Sequence, residues 1–545
     1  MTDDLVCDDR EHGGVRATAE GDGRPKCFSS TIQECLFVLT ATMAIGQSSI
    51  YQGTIVGVTA SIGRDLHMDS AEITWIGAGT ALSSGAFLLT FGKLADMFGR
   101  KKLFVAGMAG FTIAMLISGF ANNAIYMDVF SGISGLFSAA VVPPAVGTLG
   151  VIYEKPSKRK NRAFACFSAG NPLGFVMGTI ISGIASDAYN WRASFWAVAV
   201  IYAVFTLLTI WTTPNDTGDR TRLTWESFKK FDILGTFLIV TGIALFSSAL
   251  TLAGDAPDGW RTGYVIALLI IGIVLIACFL YWQAVYTYPL MPLYVWRDRN
   301  FSALMGMLCL GFMAFSMASF WLALYMQEIK HLSALEVAVQ LLPMVINGIL
   351  VNIVCGLILH RVSNKLLMGV AAVSFTVAFL LFGFMQEHNI YWAFIFPALL
   401  LQVVGADIEF NVTNMYVMSS LPPSDQSVAG GIFNTFSKLF NNIGLGVSTA
   451  VYNAVRSQAD DDASIKPYLS VFWLAAGVSG LSIFLIPFLK LGTQGGTRSR
   501  QAAERSAVEV EPNGPGAAED GLKSKETACG NGAPVEGEIG AVEKR

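Results

Sequence analysis

Fourteen apolar stretches, each long enough to cross a bilayer, dominate this 545-residue chain. The hydrocarbon core of a membrane is about 30 Å thick, and a helix needs roughly 20 apolar residues to cross it. Inside lipid only helices and closed barrels satisfy their backbone polar groups, so stretches of helical length predict an all-α, polytopic membrane protein. The predicted spans are 34–60, 72–92, 102–122, 125–153, 163–187, 192–213, 232–254, 263–287, 301–327, 335–359, 366–386, 391–419, 428–453 and 467–490.

Lysine and arginine are concentrated in the even-numbered loops between these spans. Short basic loops stay in the cytoplasm, so both termini are predicted to be cytoplasmic, as an even number of spans requires. The loop after span 2 carries Lys93, Arg100, Lys101 and Lys102; the loop after span 4 carries Lys155, Lys158, Arg159, Lys160 and Arg162; the loop after span 6 carries Arg220, Arg222, Lys229 and Lys230.

The remaining composition argues against several other classes of protein. Residues 1–33 lack an apolar core preceded by basic residues, so the first span is expected to act as the insertion signal. Residues 491–545 are rich in Gly, Ala, Glu and Pro and are predicted to be disordered. Cysteine and histidine spacing predicts no metal site, and we expect no cofactor, no enzymatic activity and no nucleic-acid partner. The protein is expected to be a monomer.

The loop between spans 2 and 3 carries a recognisable motif. It reads Gly92-x-x-x-Asp96-x-x-Gly99-Arg100-Lys101-Lys102 and resembles the signature loop of the major facilitator superfamily. Asp96 can face the positive end of a neighbouring helix or pair with Arg100 one turn later. The resemblance implies a conformational latch between two halves of a transporter. Met97 departs from the basic residue usual there, and a reduced copy begins at Gly356 with His360 in place of the acid.

Fourteen spans make the chain similar to the fourteen-spanner drug:proton antiporters of that superfamily, and several stretches resemble fungal aminotriazole-resistance-type members. The resemblance implies two six-helix bundles with two inserted helices. The predicted organisation is a disordered tail at 1–33, an N-terminal bundle at 34–213, a linker with two inserted helices at 214–300, a C-terminal bundle at 301–490 and a disordered tail at 491–545.

Span 5 carries glycines at intervals of four residues with a proline among them. Glycines at this spacing lie on one face of a helix and allow a second helix to approach closely. The proline removes a backbone donor and bends the helix. The pattern resembles the Gly-Pro motif of antiporters, although Asn171 stands where that motif has Gly; ordinary helix packing is the alternative. The residues are Gly170, Pro172, Gly174 and Gly178.

Charged side chains inside predicted spans are the sharpest functional signal, because they are costly in lipid and usually face a cavity or a partner. Four stand out, namely Asp128, Asp407, Glu409 and Lys438. By resemblance the cavity is lined by spans 1, 4, 9 and 12. Helical spacing places Asp407 on one face of span 12 with Asn411 and Asn414, whereas Glu409 lies about 200° around the helix. Lys438 lies on a polar face of span 13 with Asn434 and Asn441.

Two interpretations of Asp407 remain open. It is either a carboxylate that takes and releases a coupling proton, or the partner of Lys438 in a buried ion pair that fixes packing. Asp128 stands where the family's fourth span usually has Arg, which favours a cavity that tolerates cations; the alternative is a hydrated acid near the outer end. Gln47 and Gln52 belong to a polar patch in span 1, and span 9 is rich in Met and aromatic residues.

These features predict a proton-coupled secondary transporter of the plasma membrane, with the vacuolar membrane as the alternative location. The expected partners are a small organic substrate, protons and the lipid bilayer, and the expected direction is export of a drug, toxin or metabolite. A low-affinity transporter of a small cation such as ammonium is the alternative within transport. A non-transporting membrane sensor is the alternative of another class.

Overall fold

The computed structural model describes residues 24–68, 70–153, 157–215, 231–253, 256, 259–332, 334–386, 391–456 and 464–492. Within these residues the chain forms helices and short 3₁₀ turns and no strand, which confirms the predicted all-α fold. The helices, numbered to match the predicted spans, are α1 (Thr31–Asp65), α2 (Ser70–Phe98), α3 (Arg100–Ser118), α4 (Ala124–Ile152), α5 (Lys158–Ser168 and Gly170–Ala188), α6 (Trp191–Thr212), α7 (Ile233–Leu252), α8 (Gly263–Val285), α9 (Arg299–Glu328), α10 (Ala334–Ile358), α11 (Asn364–Gly383), α12 (Tyr391–Ser420), α13 (Gln426–Arg456) and α14 (Lys466–Ile483).

Eleven of these helices are long and apolar enough to cross a membrane by length and composition, counting the two segments of α5 as one. The other three, α1, α2 and α13, contain 35, 29 and 31 residues. They are long enough to span but more polar, and each contributes polar side chains to the cavity described below. The chain is therefore a multi-pass membrane protein. Its three more polar helices, α1, α2 and α13, line the cavity.

Several helices begin where a side chain accepts a hydrogen bond from the first turn. The first backbone N–H groups of a helix have no partner within it, so a capping oxygen stabilises the end. In each case the cap is a short polar residue just before the apolar stretch, which explains why these boundaries were predictable. The capping residues are Ser30, Asn123, Asn190 and Asp298.

The helix pairing of the first six helices recurs in the last six. In the first half, α1 packs against α5, α2 against α4, and α3 against both α4 and α6. Eight helices later, α9 packs against α13, α10 against α12, and α11 against both α12 and α14. The halves meet through α2 with α13, α4 with α13 and α5 with α10. Helices α7 and α8 pack against each other, and α7 also contacts α2 and α13.

One end of the helix bundle carries most of the basic side chains, and we call it the basic face. It is defined by Lys93, Arg100, Lys101, Lys102 and Arg159, which lie where α2 ends, α3 begins and α5 begins. The other end, where α1 ends and α2 begins, is called the opposite face. Of the other basic residues predicted for these loops, Lys158, Lys160 and Arg162 lie in the first segment of α5, and Lys155, Arg220, Arg222, Lys229 and Lys230 lie outside the described residues.

The regular α-helix of the predicted last span ends seven residues before position 490, although the candidate membrane span extends to Phe488. Helix α14 ends at Ile483, and a 3₁₀ turn follows at Ile486–Phe488. Pro487 has no N–H group and cannot donate the α-helical hydrogen bond to the carbonyl of Ile483, four residues earlier, so an apolar sequence alone does not keep this segment α-helical. The hydropathy of this segment correctly indicated an apolar run, but it did not indicate that the run ends in a 3₁₀ turn.

Part of the predicted N-terminal tail is described. Residues 25–28 form a turn, and the Phe28 ring lies 5.5 Å from the Phe37 ring of α1. Phe28 is buried, so the apolar contacts begin a few residues before the first predicted span. Residues 1–23 and 493–545, which make up most of the two predicted tails, lie outside the described residues, as do linker residues 216–230.

Candidate functional site

A cavity of about 470 Å³ lies between the two sets of six helices. The resemblance implied that α1, α4, α9 and α12 would line it, and all four do. Helices α2, α5, α10 and α13 contribute as well. The wall is mixed in character: its aromatic residues are Phe175, Phe312, Phe315 and Phe410, and its polar residues are Ser48, Ser49, Gln52, Ser84, Ser138, Ser168, Asn171, Ser316, Asp407, Asn434, Ser437, Lys438, Asn441 and Asn442.

Asp407 lies on the cavity wall that α5, α10 and α12 form together. Its Oδ2 atom has no hydrogen-bond partner among the described residues. A Cβ built on Gly348 of α10 would lie 3.2 Å from this oxygen, so the glycine leaves room for the carboxylate. A carboxylate that reaches a cavity with an unused oxygen is able to bind a proton or a cation there.

A polar network surrounds the backbone of Asp407 and links three helices. The Asn411 amide donates to the Asp407 carbonyl and to Oδ1 of Asn352 on α10, both at 2.8 Å. Its own Oδ1 accepts from the Ser168 hydroxyl of α5 at 2.9 Å. Asn352 was not a predicted site residue, although an amide side chain in the apolar run of span 10 was a usable signal. The network joins α12 to one helix from each half.

Lys438 lies across the cavity and contacts the first half. Its ammonium donates to Ser84 of α2 at 2.7 Å and to Ser48 of α1 at 3.2 Å. Ser48 in turn shares a 2.7 Å hydrogen bond with Ser138 of α4. The buried ion pair between Asp407 and Lys438 that the sequence left open is not formed in this structure, because serines from the opposite half take up the ammonium instead.

Glu409 lies two residues after Asp407 and points elsewhere, as the helical rotation predicted. Its side chain is 2% exposed. Its Oε2 atom lies over Gly311 of α9, where any side chain would overlap it, and has no hydrogen-bond partner among the described residues. Glu409 is therefore packed among the helices of the second half and does not line the cavity.

Four other predicted site residues, Gln47, Asn411, Asn414 and Asp128, also lie outside the cavity lining in this conformation. Gln47 directly precedes Ser48, so its side chain points in a different direction around α1. Its amide donates a hydrogen bond to the sulfur of Met108 on α3 at 3.2 Å. Asn414 shares the face of Asp407 but lies two turns nearer the basic face, where it is 1% exposed. Asp128 lies on α4 near the opposite face. Gln52, in contrast, lines the cavity.

The Met and aromatic residues of α9 divide between two roles. Phe312 and Phe315 line the cavity. Most of the others are buried in packing between helices of the second half, including Met305, Met307, Met317 and Trp321. The aromatic surface available to a solute is therefore smaller than the sequence of span 9 indicated.

The signature loop joins the two halves at the basic face. Asp96 forms an ion pair with Arg100 at 2.7 Å, and its carboxylate accepts from the backbone N–H groups of Ser427 at 3.2 Å and Val428 at 2.9 Å. These N–H groups belong to the first turn of α13, so Asp96 faces the positive end of that helix. Arg100 also donates to the carbonyl of Pro423 at 2.6 Å.

Gly92 permits this approach. A Cβ at Gly92 would lie 2.7 Å from the Ser427 carbonyl oxygen, closer than real side chains come. Gly99 has a φ of 112°, which L-residues with side chains rarely adopt, and it separates α2 from α3. Lys101 and Lys102, the remaining motif residues, follow Arg100 at the start of α3. Gly92 thus serves the contact between the halves, and Gly99 serves the turn between α2 and α3.

The glycines of α5 pack against the backbone of α1. A Cβ at Gly174 would lie 2.5 Å from the Gly46 carbonyl oxygen, and one at Gly178 would lie 2.9 Å from the Ile50 carbonyl carbon. Gly170 makes the equivalent approach at Thr42. Pro172 lines the cavity and follows the break at Ala169 between the two segments of α5. The geometry is that of close helix packing, the alternative that the sequence left open.

Comparison with known proteins places this geometry in context. A family model described as Major Facilitator Superfamily matches residues 36–445. The chain is 26% identical to the efflux pump terJ of Aspergillus terreus, covering 86% of this chain and 89% of the pump. It is 27% identical to a low affinity ammonium transporter of Saccharomyces cerevisiae, covering 85% and 89%.

A solved structure, the human organic anion transporter MFSD10 (TETRAN), superposes with a TM-score of 0.59 at 13% identity, covering 83% of this chain and 98% of that one. Similarity at this identity concerns the fold. The matches confirm the predicted resemblance to a superfamily of transporters and to its fungal drug-transporter members.

Proposed function

Because the chain belongs to the Major Facilitator Superfamily and is a membrane transporter, we propose that it exports a small organic molecule in exchange for protons. The observation that carries this proposal is the position of Asp407, which lines a cavity between the two halves and whose buried Oδ2 has no hydrogen-bond partner among the described residues. A carboxylate in such a place can exchange a proton with whichever side the cavity faces. Gly348 and the network around Asn411 hold it there.

The cavity lining supports an amphipathic organic substrate. Four phenylalanines offer apolar and aromatic surface, while serine and asparagine side chains provide hydrogen bonds. A few polar groups in a largely apolar pocket are typical of sites for organic ligands. The efflux pump among the relatives supports the same direction of transport.

Transport of a small cation such as ammonium is the second candidate. The ammonium transporter among the relatives favours it. Asp128, the feature of the sequence that favoured it, does not line the cavity, and Lys438 places a positive charge there. A non-transporting sensor is the third candidate, and the cavity together with the contact between the halves makes it the least favoured.

We further propose that the basic face is cytoplasmic, since short basic loops stay on that side. Residues 34–213 and 301–490 then form the two halves that move, with both termini in the cytoplasm. The plasma membrane is the proposed location and the vacuolar membrane its alternative. A monomer suffices for this mechanism, because one chain supplies the whole cavity.

Asp96→Asn is expected to slow turnover roughly ten- to a hundredfold without preventing membrane insertion. Asp96 accepts hydrogen bonds from Arg100 and from the first turn of α13. Asparagine keeps one acceptor oxygen and presents an NH₂ group to the other donors. Hydrogen bonds to charged groups contribute about 1.5–3 kcal/mol each, which is enough to shift the equilibrium between conformations by this factor. Turnover is measured in reconstituted vesicles at equal protein content.

Asp65→Asn is the matched control for this change. Asp65 pairs with Arg192 at 2.7 Å on the opposite face, within the first half and with 47% of its side chain exposed. Exposed pairs contribute about 0–1 kcal/mol, so turnover should stay near that of the unmodified protein. Equal turnover of Asp96→Asn and Asp65→Asn would remove the proposed role of the signature loop.

The proposed function is tested by flux in proteoliposomes that contain the purified full-length chain. An imposed pH gradient should drive accumulation of some members of a panel of amphipathic organic compounds, and a protonophore should abolish it. Ammonium is tested in parallel. Movement of ammonium alone would favour the second candidate. Flux that ignores the pH gradient would contradict proton coupling, and the absence of any flux would favour a sensor.

A further inference from the structure

A second pocket, of about 690 Å³, lies between α1, α5 and α10 and is separate from the central cavity. Its wall is largely apolar, and three of its side chains, Leu39, Ile353 and Leu357, are exposed on the surface of the bundle. The pocket therefore opens sideways, toward the position of the lipid around a membrane protein. Its other apolar residues are Val38, Ala163, Ala165, Ala169, Leu173 and Ile349.

The end of this pocket at the basic face is polar. Glu34 is buried and its two oxygens are occupied, one by the Tyr153 hydroxyl at 2.7 Å and the other by Arg159 at 3.0 Å. The charge of Arg159 is therefore balanced. Arg162 also lines the pocket, is exposed, and forms no ion pair with the described residues. The mouth of the pocket consequently carries one net positive charge.

The length of the pocket matches one leaflet of a bilayer. Along α1 its lining extends from Thr31 to Thr42. Eleven residue steps at about 1.5 Å each give roughly 16 Å, and half of the hydrocarbon core is about 15 Å. The charged residues lie at the basic face and the apolar ones deeper. This order of polarity is that of a single lipid molecule in its leaflet.

We propose that this pocket binds one anionic phospholipid from the leaflet at the basic face. The acidic head group contacts Arg162, and one acyl chain lies along α1, α5 and α10. Charge complementarity favours an anionic over a zwitterionic lipid, since the free guanidinium has no acidic side chain to balance it. The deep end reaches Asn352, which accepts from Asn411, so a bound lipid touches a helix that also carries the network around Asp407.

Thiol labelling of the full-length chain tests this site without changing a cysteine. Cys35 and Cys166 line the pocket and are exposed, whereas Cys278 is exposed on α8, away from it. The protein is reconstituted in phosphatidylcholine alone or with phosphatidylserine, treated with a membrane-permeable maleimide, and the labelling rate of each cysteine is read by mass spectrometry. We expect phosphatidylserine to slow labelling of Cys35 and Cys166 about fivefold, and that of Cys278 not at all.

Arg162→Gln should abolish this protection, because the head group loses its cation. Arg361→Gln is the matched control, since Arg361 is exposed at the same face just after α10 and does not line the pocket. It should keep the protection. Equal labelling in the two lipid compositions, equal slowing at Cys278, or protection that persists in Arg162→Gln would each overturn the proposal.

Discussion

The Asp407→Asn variant is expected to exchange substrate across the membrane but to lose accumulation driven by a pH gradient. Asparagine has nearly the shape of a protonated aspartic acid and cannot cycle a proton. One pH unit supplies about 1.4 kcal/mol per proton, so accumulation by one-for-one exchange should fall from about tenfold to about onefold. Vesicle assays with and without an imposed gradient separate the two activities.

Two further variants sharpen this test. Glu409→Gln neutralises a carboxyl on the same helix that packs over Gly311 and does not line the cavity, so gradient-driven transport should persist. Lys438 binds Ser48 and Ser84 instead of Asp407, so Asp407→Asn should express normally and Lys438→Met should not be needed to rescue it. Normal gradient-driven transport by Asp407→Asn would exclude it as the coupling group. A loss in Glu409→Gln alone would transfer that role to Glu409.

Gly178→Leu is expected to abolish recovery of folded protein. A Cβ at Gly178 would overlap the Ile50 carbonyl and lie 2.9 Å from the Thr54 backbone nitrogen. Overpacking typically costs about 1–3 kcal/mol when side chains can adjust, and here the obstacle is backbone, so the cost should exceed that range. A tenfold or greater loss of monodisperse protein in detergent, measured by size-exclusion chromatography, is the expected result.

Gly183→Leu serves as the control on the same helix. A Cβ at Gly183 meets no atom within 4 Å, so a side chain there has open space. The two variants change the same residue type five positions apart in one segment of α5. Equal yields of Gly178→Leu and Gly183→Leu would contradict the conclusion that the glycines of α5 are needed for its close packing against α1.

The helices were predictable from the sequence because their signals are local. Apolar runs of membrane-spanning length, bounded by capping residues such as Asn123 and Asn190, placed most helix ends within a few residues. Hydropathy failed at the proline that follows α14, where the regular α-helix ends early, whereas the break of α5 at Ala169 lies three residues before Pro172, the proline that was predicted to bend this helix. Polar residues in apolar runs also identified Asp407 and Lys438 as cavity candidates.

What remained beyond the sequence depends on contacts between distant helices. Lys438 and its acceptors Ser48 and Ser84 are separated by 390 and 354 positions, so nothing local indicated that serines would replace Asp407 as its partner. Helical rotation predicted that Glu409 and Asp407 would diverge. It did not predict that Gln47, Asn411 and Asn414 would lie outside the cavity lining, because the depth and floor of a cavity are set by how the two halves meet.

Helix α13 contacts the signature loop at its first turn and lines the cavity further along its length. Asp96 holds its first turn at Val428, and Lys438 lies ten residues further along the same continuous helix, about 15 Å away. A helix of this length transmits displacement from end to end. We expect release of its first turn from Asp96 to draw the ammonium of Lys438 away from Ser48 and Ser84, so that opening of the basic face and movement of the cavity's positive charge occur together.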